Sequence, residues 1–404
     1  MSKILRLLAL GDLLLCGRYD ALADAGQAKG VFNPLLALLN DADIVVGNLE
    51  CPLTASDDPR ADKLCLRGDP RYADVMAAVG VDVLSLANNH LFDHGLAGFR
   101  DTDRALTDAG IAALGAGATL EDASRPRILE RDGQRIGFLA YCHDSTRPSD
   151  FATADRFGVA PLEAPAVLAD VRRWRGEVDH LILLLHWGLE YSPLPTPEQV
   201  QLAHAAVDAG VGLILGHHSH MIQGIETYRG AVIAYSLGNC TDSDVDWQGP
   251  TRGFEARMTQ TDREGLALTV ELGAEGVRLV ARHPLWLNDA GQPEPATGAR
   301  AEAILAQLDQ RSQALDDPDL TRHWENALVA KRVLGPLQYW WSQGSLWDKI
   351  RRFRLSQFKT LYLLVATFVR IRLSRSEARW SLFNPRNDTR PMPYGGGEEE
   401  DARQ

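Results

Sequence analysis

The sequence contains no apolar run of the roughly 18–20 residues that a helix needs to cross a bilayer. Arg6 and Asp12 interrupt the apolar stretch near the start, and no small-residue cleavage site follows it. A lipoprotein signal is disfavoured because Leu15, a large residue, precedes Cys16. We therefore expect neither a signal peptide nor a transmembrane helix, and we predict a cytoplasmic protein.

Cysteine is also scarce, and negative charge is in excess. Only five of the 404 residues are cysteine, and no two of them form a Cys-x-x-Cys pair. The odd number and the unpaired spacing favour free thiols in a reducing compartment and argue against zinc held by a cysteine cluster. The formal net charge of −12 argues against nucleic acid as a general partner.

Short apolar runs alternate with amphipathic stretches over the first 280 or so residues. The runs have the length of β-strands and are apolar throughout, which is typical of strands covered on both faces. Strands are predicted at Ile4–Ala9, Asp43–Gly47, Val83–Ala87, Ile136–Tyr141, His180–Leu185, Gly212–Leu215 and Val232–Tyr235. Flanking prolines and glycines predict helices at Pro34–Leu39, Tyr72–Val79, Leu96–Ala109, Pro161–Trp174 and Pro197–Ala209.

The later strands are predicted to be antiparallel. Asp132-Gly133 and Arg229-Gly230 are typical of tight hairpin turns. Phe254–Thr259, Leu266–Leu272 and Val277–Ala281 predict a meander. A chain that begins with parallel strands and finishes with antiparallel ones indicates an α/β fold of two packed sheets with helices outside.

Composition divides the chain into three segments. Residues 1–285 carry the α/β pattern, residues 286–383 predict a mostly helical extension that becomes basic and aromatic, and residues 384–404 predict a disordered tail. Two interpretations of residues 347–379 remain open. In one, this segment is an amphipathic helix in peripheral contact with the inner face of the membrane. In the other, it is a helix packed on the α/β domain with its arginines in solvent.

Polar clusters directly follow five of the predicted strands. They are Gly11-Asp12, Gly47-Asn48-Leu49-Glu50, Ala87-Asn88-Asn89-His90 with Asp93, His186-Trp187-Gly188, and Gly216-His217-His218-Ser219-His220. Because binding sites in open α/β sheets lie at the carboxyl ends of the strands, these clusters predict one shared site.

Histidine is the most frequent side chain in these clusters. His218 and His220 are two residues apart, so their rings point the same way in extended backbone and can converge on one ion. A single histidine, such as His186, is often only a core or hydrogen-bonded residue. Five histidines at three strand ends favour a metal site, and imidazoles with carboxylates suit zinc, iron or manganese.

The remaining polar residues fit such a site in specific roles. An amide oxygen of Asn89 can bind a metal, which leaves His90 to donate a proton to a leaving group, with Asp93 orienting it. The alternative for the adjacent asparagines is a simple turn. Asp12 and Glu50 supply negative charge, although Asp12 alone is equally compatible with a helix cap.

Six motifs in order carry a family resemblance. They are GDLLLCGR, NLECPLT, ANNHLFDHG, HWGLEY, GHHSHMIQGIE and YSLGN. Together they resemble the CapA family, which is associated with capsule and poly-γ-glutamate synthesis and is similar to the calcineurin-like metallophosphoesterases. The resemblance covers about residues 4–285. It implies a four-layer αββα sandwich that holds two adjacent divalent metal ions.

Carried over by position, the family's ligands fall on six residues of this chain. Asp12 and His220 would hold the first ion, Asn89, His186 and His218 would hold the second, and Glu50 would bridge the two. Two positions depart from the superfamily pattern: Leu14 stands where a histidine is usual, and Glu50 replaces an aspartate. The expectation is therefore one or two ions of manganese, iron or zinc.

The same resemblance places His90 beside the leaving group and assigns Arg18 to an anionic group of the substrate. For Arg18, an ordinary surface ion pair is an equally good interpretation. Two functions follow. The chain is either a metal-dependent hydrolase of a phosphoester or of an amide in an anionic polymer, or a non-catalytic polymer assembly or binding protein that retains the metal site.

Overall fold

The computed structural model describes residues 3–61, 63–248, 253–317 and 320–321. Within these residues the chain forms eighteen β-strands and eight α-helices. In chain order they are β1 (Leu5–Leu13), α1 (Arg18–Asp24), α2 (Leu36–Leu39), β2 (Ile44–Leu49), α3 (Arg71–Ala78), β3 (Val83–Ser85), α4 (Gly95–Asp108), β4 (Ala112–Leu114), β5 (Ala116–Gly117), α5 (Leu120–Ala123), β6 (Arg127–Arg131), β7 (Gln134–Cys142), β8 (Gly158–Val159), α6 (Ala164–Trp174), β9 (His180–His186), α7 (Pro197–Ala209), β10 (Leu213–His217), β11 (Ile225–Tyr228), β12 (Ala231–Ala234), β13 (Asn239–Thr241), β14 (Val245–Gln248), β15 (Gly253–Ala256), β16 (Glu264–Gly273), β17 (Gly276–Leu287), β18 (Pro293–Pro295) and α8 (Gly298–Gln313).

The first sheet is built around β1, in the strand order β18-β17-β16-β1-β2-β3-β4. Strands β1 to β4 run parallel, whereas β16, β17 and β18 are antiparallel to their neighbours. Near its end β1 also pairs with β13, which places Asp12 opposite Asn239. Gly11 permits this approach, because a Cβ atom there would lie 2.1 Å from the carbonyl oxygen of Gly238.

The second sheet has the strand order β11-β12-β10-β9-β7-β6. Its four central strands are parallel, and antiparallel hairpins add β6 and β11 at the two edges. Both hairpin turns occur at the predicted positions, Asp132-Gly133 and Arg229-Gly230. All four of these residues have positive φ, as the tight turns favoured in hairpins require.

Side chains of β9 alternate between two environments. Ile182 and Leu184 belong to the core that the two sheets share, whereas Leu181, Leu183 and Leu185 pack with residues of α6 and α7. A strand that is apolar on both faces reads as a continuous apolar run. The sheets therefore pack face to face with helices outside, and the predicted αββα sandwich is confirmed.

Helix α7 shows why the local predictions succeed. The Thr196 hydroxyl accepts a hydrogen bond from the backbone N–H of Gln199. The side-chain oxygen of Gln199 accepts one from the backbone N–H of Thr196. This capping box and Pro197 at the first helical position fix the start of the helix. Gly210, with a φ of 123°, ends it.

One prediction of local structure was wrong. The first strand of the expected meander does not join β16. Instead β15 pairs with β14 in a separate two-stranded sheet, because both edges of β16 are occupied by β1 and β17. The helix predicted near Pro34–Leu39 is present, as a 3-10 turn over Asn33–Leu35 followed by the single turn of α2.

The packed unit extends past residue 285. Strand β17 continues to Leu287, β18 pairs with it, and α8 packs on β11 and β17. The basic stretch at 347–379 and the predicted tail at 384–404 lie outside the described residues. In the part of the chain that the structure describes, no helix is both long and apolar enough to cross a bilayer.

Candidate metal centre

The six predicted ligands converge at the carboxyl ends of the parallel strands. Asp12 lies near the end of β1, Glu50 directly follows β2, Asn89 lies in the loop after β3, His186 ends β9, and His218 and His220 follow β10. All six residues are buried. Strand register aligns the ends of neighbouring strands, because Asp12 is paired with Asn48 and His186 with His217.

One group of ligands surrounds the Nε2 atom of His186. This nitrogen lies 2.9 Å from Oδ1 of Asn89, 3.2 Å from Nδ1 of His218 and 3.4 Å from Oε1 of Glu50. The ligand atoms of Glu50, His186 and His218 all lie within 4.8 Å of one another. Two imidazoles, a carboxylate and an amide oxygen suit a divalent transition metal.

A second group shares Glu50 and consists of Asp12, Glu50 and His220, with ligand atoms again within 4.8 Å. Nε2 of His220 lies 3.8 Å from Oε1 of Glu50. Nδ1 of the same ring contacts Oδ1 of Asn239 at 2.9 Å, which leaves Nε2 for a cation. Leu14 is buried in the hydrophobic core and supplies no ligand, so this group has fewer donors than the first.

Glu50 provides the test of whether a cation fits. Its carboxylate is fully buried, and neither oxygen has a hydrogen-bond partner. Burial, and then the charge of Asp12, raise the pKa of Glu50 well above its ordinary value. A buried carboxylate that accepts no hydrogen bond is costly, and a bound divalent cation would remove that cost. The donor set therefore fits a metal ion.

The histidine pKa values agree with this assignment. Burial lowers the pKa of His186 well below its ordinary value and that of His218 to about 4, so both rings are neutral and able to bind a metal. Burial also opposes the charge of His220, but Glu50 and Asp12 outweigh it and raise its pKa to about 10.

His90 and Asp93 form a pair beside the metal ligands. Nδ1 of His90 lies 2.7 Å from Oδ2 of Asp93, which also accepts the backbone N–H of Leu66. Nζ of Lys63 lies 2.7 Å from the other oxygen of Asp93 and donates to the carbonyl oxygen of Asn89. The carboxylate therefore holds the His90 ring through Nδ1, as an orienting group for a proton donor must.

Four residues that support the site were not assigned from the sequence. Asn48 donates to Oδ1 of Asp12 at 2.9 Å, and Nδ1 of the buried His217 lies 3.0 Å from the same oxygen. Asn239 holds His220 and donates to Asp242. The positions of Asn48, His217 and Asn239 inside the motifs could have revealed them. No pattern marks Lys63, which lies in an irregular loop.

The structure does not bring Arg18 together with this cluster. Its guanidinium donates to the carbonyl oxygen of Asp289, and its backbone N–H donates to the Ser243 hydroxyl. Among the described residues, no hydrogen bond or ion pair joins the Arg18 side chain to a candidate ligand. Its assignment to the substrate remains a prediction.

Comparison with known proteins places this cluster within one family. The family model described as bacterial capsule synthesis protein PGA_cap matches residues 6–243, a range that includes every candidate ligand. The capsule biosynthesis protein CapA of Bacillus anthracis is 29% identical over 306 residues, which cover 74% of this chain and 71% of that protein.

Two further matches are more distant or shorter. The PGA biosynthesis protein CapA of Bacillus subtilis strain 168 is 32% identical over 255 residues, which cover 62% of this chain and 66% of that protein. Among solved structures, a phosphatase from Mycoplasma pneumoniae is 11% identical with a TM-score of 0.44, covering 75% of this chain and 98% of that one.

Proposed function

From the premise that this chain belongs to the PGA_cap family of bacterial capsule synthesis proteins, we propose that it is a metal-dependent hydrolase. Its proposed substrate is a phosphoester, or an amide of an anionic polymer such as poly-γ-glutamate. The observation that carries the proposal is the buried carboxylate of Glu50, which accepts no hydrogen bond and lies in one group with two imidazoles and an amide oxygen.

The candidate ligands form two groups, each of which would hold one ion. Glu50, His186, His218 and Asn89 would hold one divalent ion, and Asp12 and His220 with Glu50 would hold another. When bound, such an ion supplies Lewis-acid polarisation of a phosphoryl or acyl oxygen. Burial of the cluster keeps bulk water away from the ligands and strengthens every electrostatic interaction there.

His90 is the proposed general acid. Its ring belongs to the loop that carries Asn89, and its Nδ1 is held by Asp93. In the described part of the chain, Nδ1 of His90 bonds to Asp93 and no hydrogen bond involves Nε2, which leaves Nε2 to exchange a proton with a leaving group. Burial lowers the pKa of His90, and the charge of Asp93 opposes this by favouring the protonated ring. Lys63 balances the charge of the buried Asp93 and ties it to the backbone of Asn89.

One observation favours the second candidate function, a polymer assembly or binding protein without turnover. Leu14 leaves the Asp12–His220 group with fewer donors than the other group. A single tightly held ion would then stabilise the fold or bind a polymer carboxylate without hydrolysis.

A hydrolysis assay of manganese-loaded protein separates the two functions. The substrates are a generic aryl phosphodiester and poly-γ-glutamate, and the variant is His186→Ala. We expect the wild type to turn over at least one substrate. The turnover rate of the variant should be lower by about 10²-fold or more, because a ligand of the ion is removed.

His204→Ala is the matched control, because His204 pairs with Glu226 away from the cluster and should not affect turnover. Bound manganese without turnover of either substrate would reject the hydrolase and leave the binding protein.

A further inference from the structure

Tyr191 presents a large ring to solvent beside the metal ligands. It is 47% exposed, whereas most large apolar side chains of the described residues are buried. Its ring centroid lies 5.7 Å from that of His220, and the two planes are tilted by 38°. The ring therefore stands at the outer side of the group formed by Asp12, Glu50 and His220.

The backbone of Tyr191 is strained. Its φ is 55°, in the left-handed region that residues with a Cβ atom adopt at an energetic cost. His218 and His220, with φ of 90° and 54°, share this property. The strain at Tyr191 is not required by a tight hairpin turn, unlike that at Asp132 and Arg229.

Neighbouring contacts hold the strained conformation from both sides. The backbone N–H of Tyr191 donates to the carbonyl oxygen of Ser219 at 2.7 Å, which ties this loop to the one that carries His218 and His220. The carbonyl oxygen of the buried Ser192 accepts the side chain of Gln223 at 2.9 Å. A strained backbone conformation persists where surrounding contacts hold it in place, and residues with such conformations cluster at functional sites.

We propose that Tyr191 is a substrate-contacting residue whose exposed ring lies beside His220 on the solvent side of the metal ligands. This assignment rests on the proposed function, since it presumes that a substrate binds at these ligands. The ring would pack on the apolar part of the substrate next to its anionic group, such as the methylenes of a γ-glutamyl unit. It would therefore contribute to binding and little to the chemical step.

Tyr191→Gly separates this role from a structural one, because glycine adopts positive φ without strain. We expect the variant to bind manganese as the wild type does and to melt no lower. Its dissociation constant for poly-γ-glutamate, measured by titration calorimetry on manganese-loaded protein, should rise about tenfold. KM for the aryl phosphodiester should rise with little change in kcat. Tyr191→Phe should behave like the wild type.

Arg147→Gly is the matched control. Arg147 has a φ of 56°, is exposed, and ends a short 3-10 turn, so its replacement should relieve strain without altering affinity. Unchanged affinity and KM in Tyr191→Gly, or a lower melting temperature with unchanged affinity, would show that the ring only packs and would overturn the assignment.

The two proposals fail in different ways. Polymer binding without turnover by the wild type would reject the hydrolase, while the dissociation constants would still decide the role of Tyr191. A wild type that binds neither probe would overturn both.

Discussion

Glu50→Gln is expected to abolish the rise in melting temperature that manganese gives to the wild-type protein. An ion at about 100 times its dissociation constant stabilises a folded protein by about 2.7 kcal/mol. At about 2.1 cal/mol/K of unfolding entropy per residue, a packed unit of roughly 300 residues would then shift by about 4 °C. Glutamine keeps the shape of Glu50 but removes the charge that both ligand groups share, so the shift should disappear.

The same substitution should stabilise the metal-free protein. Burial raises the pKa of Glu50, so the folded state holds its proton more tightly than the unfolded state does. Stability then falls as pH rises above the ordinary carboxyl pKa of 4.5, since ionisation favours the unfolded chain. The advantage of Glu50→Gln should therefore be small near pH 4.5 and grow towards neutral pH, as measured by thermal unfolding in a chelator.

Glu226→Gln is a suitable control. Glu226 is also largely buried, but its Oε1 atom contacts His204 at 2.6 Å and accepts the Tyr235 hydroxyl at 2.7 Å. Removing a carboxylate that is already hydrogen-bonded should destabilise the protein and leave the manganese shift intact. An equal manganese shift in wild type and Glu50→Gln would show that Glu50 does not face a cation.

His90→Asn is expected to lower kcat by about 10²–10⁴-fold, the usual contribution of a general acid. Metal content should not change, because the candidate ligands are other residues and His90 bonds to Asp93 rather than to them. The measurement is the steady-state rate on the aryl phosphodiester, together with metal analysis of the same samples.

His94→Asn controls for disturbance of the loop. His94 is buried four residues further on, next to the start of α4, and has no ion pair among the described residues. Its replacement should leave kcat within a few-fold of the wild type. If His90→Asn kept the wild-type rate, or lost metal and rate in parallel, the general-acid assignment would be wrong.

Much of the site could be predicted because strands and motifs are local features of sequence. A buried parallel strand appears in the sequence as an apolar run, and the strand's carboxyl end lies near the point where the run stops. The positions of Asp12, Glu50 and His186 at strand ends could therefore be predicted from the runs alone. The parallel order of β1 to β4 then brings residues distant in sequence to one sheet edge. The hairpin turns and the capping box of α7 are equally local.

The unpredicted features depend on long-range packing. Lys63 reaches Asp93 from an irregular loop that has no periodicity, and only the folded chain places them together. The pairing of β15 with β14 follows from the occupied edges of β16, which no local pattern reveals. The guanidinium of Arg18 meets Asp289, 271 residues away, for the same reason.

Metal content of the purified protein tests the central claim most directly. After incubation with manganese and removal of free ion, elemental analysis should find one or two ions per chain in the wild type. The double variant His186→Ala, His218→Ala should lose the ion that these two imidazoles bind, while His204→Ala should match the wild type. A wild type without bound metal, or a double variant with unchanged metal content, would contradict the assignment of this cluster as a metal centre.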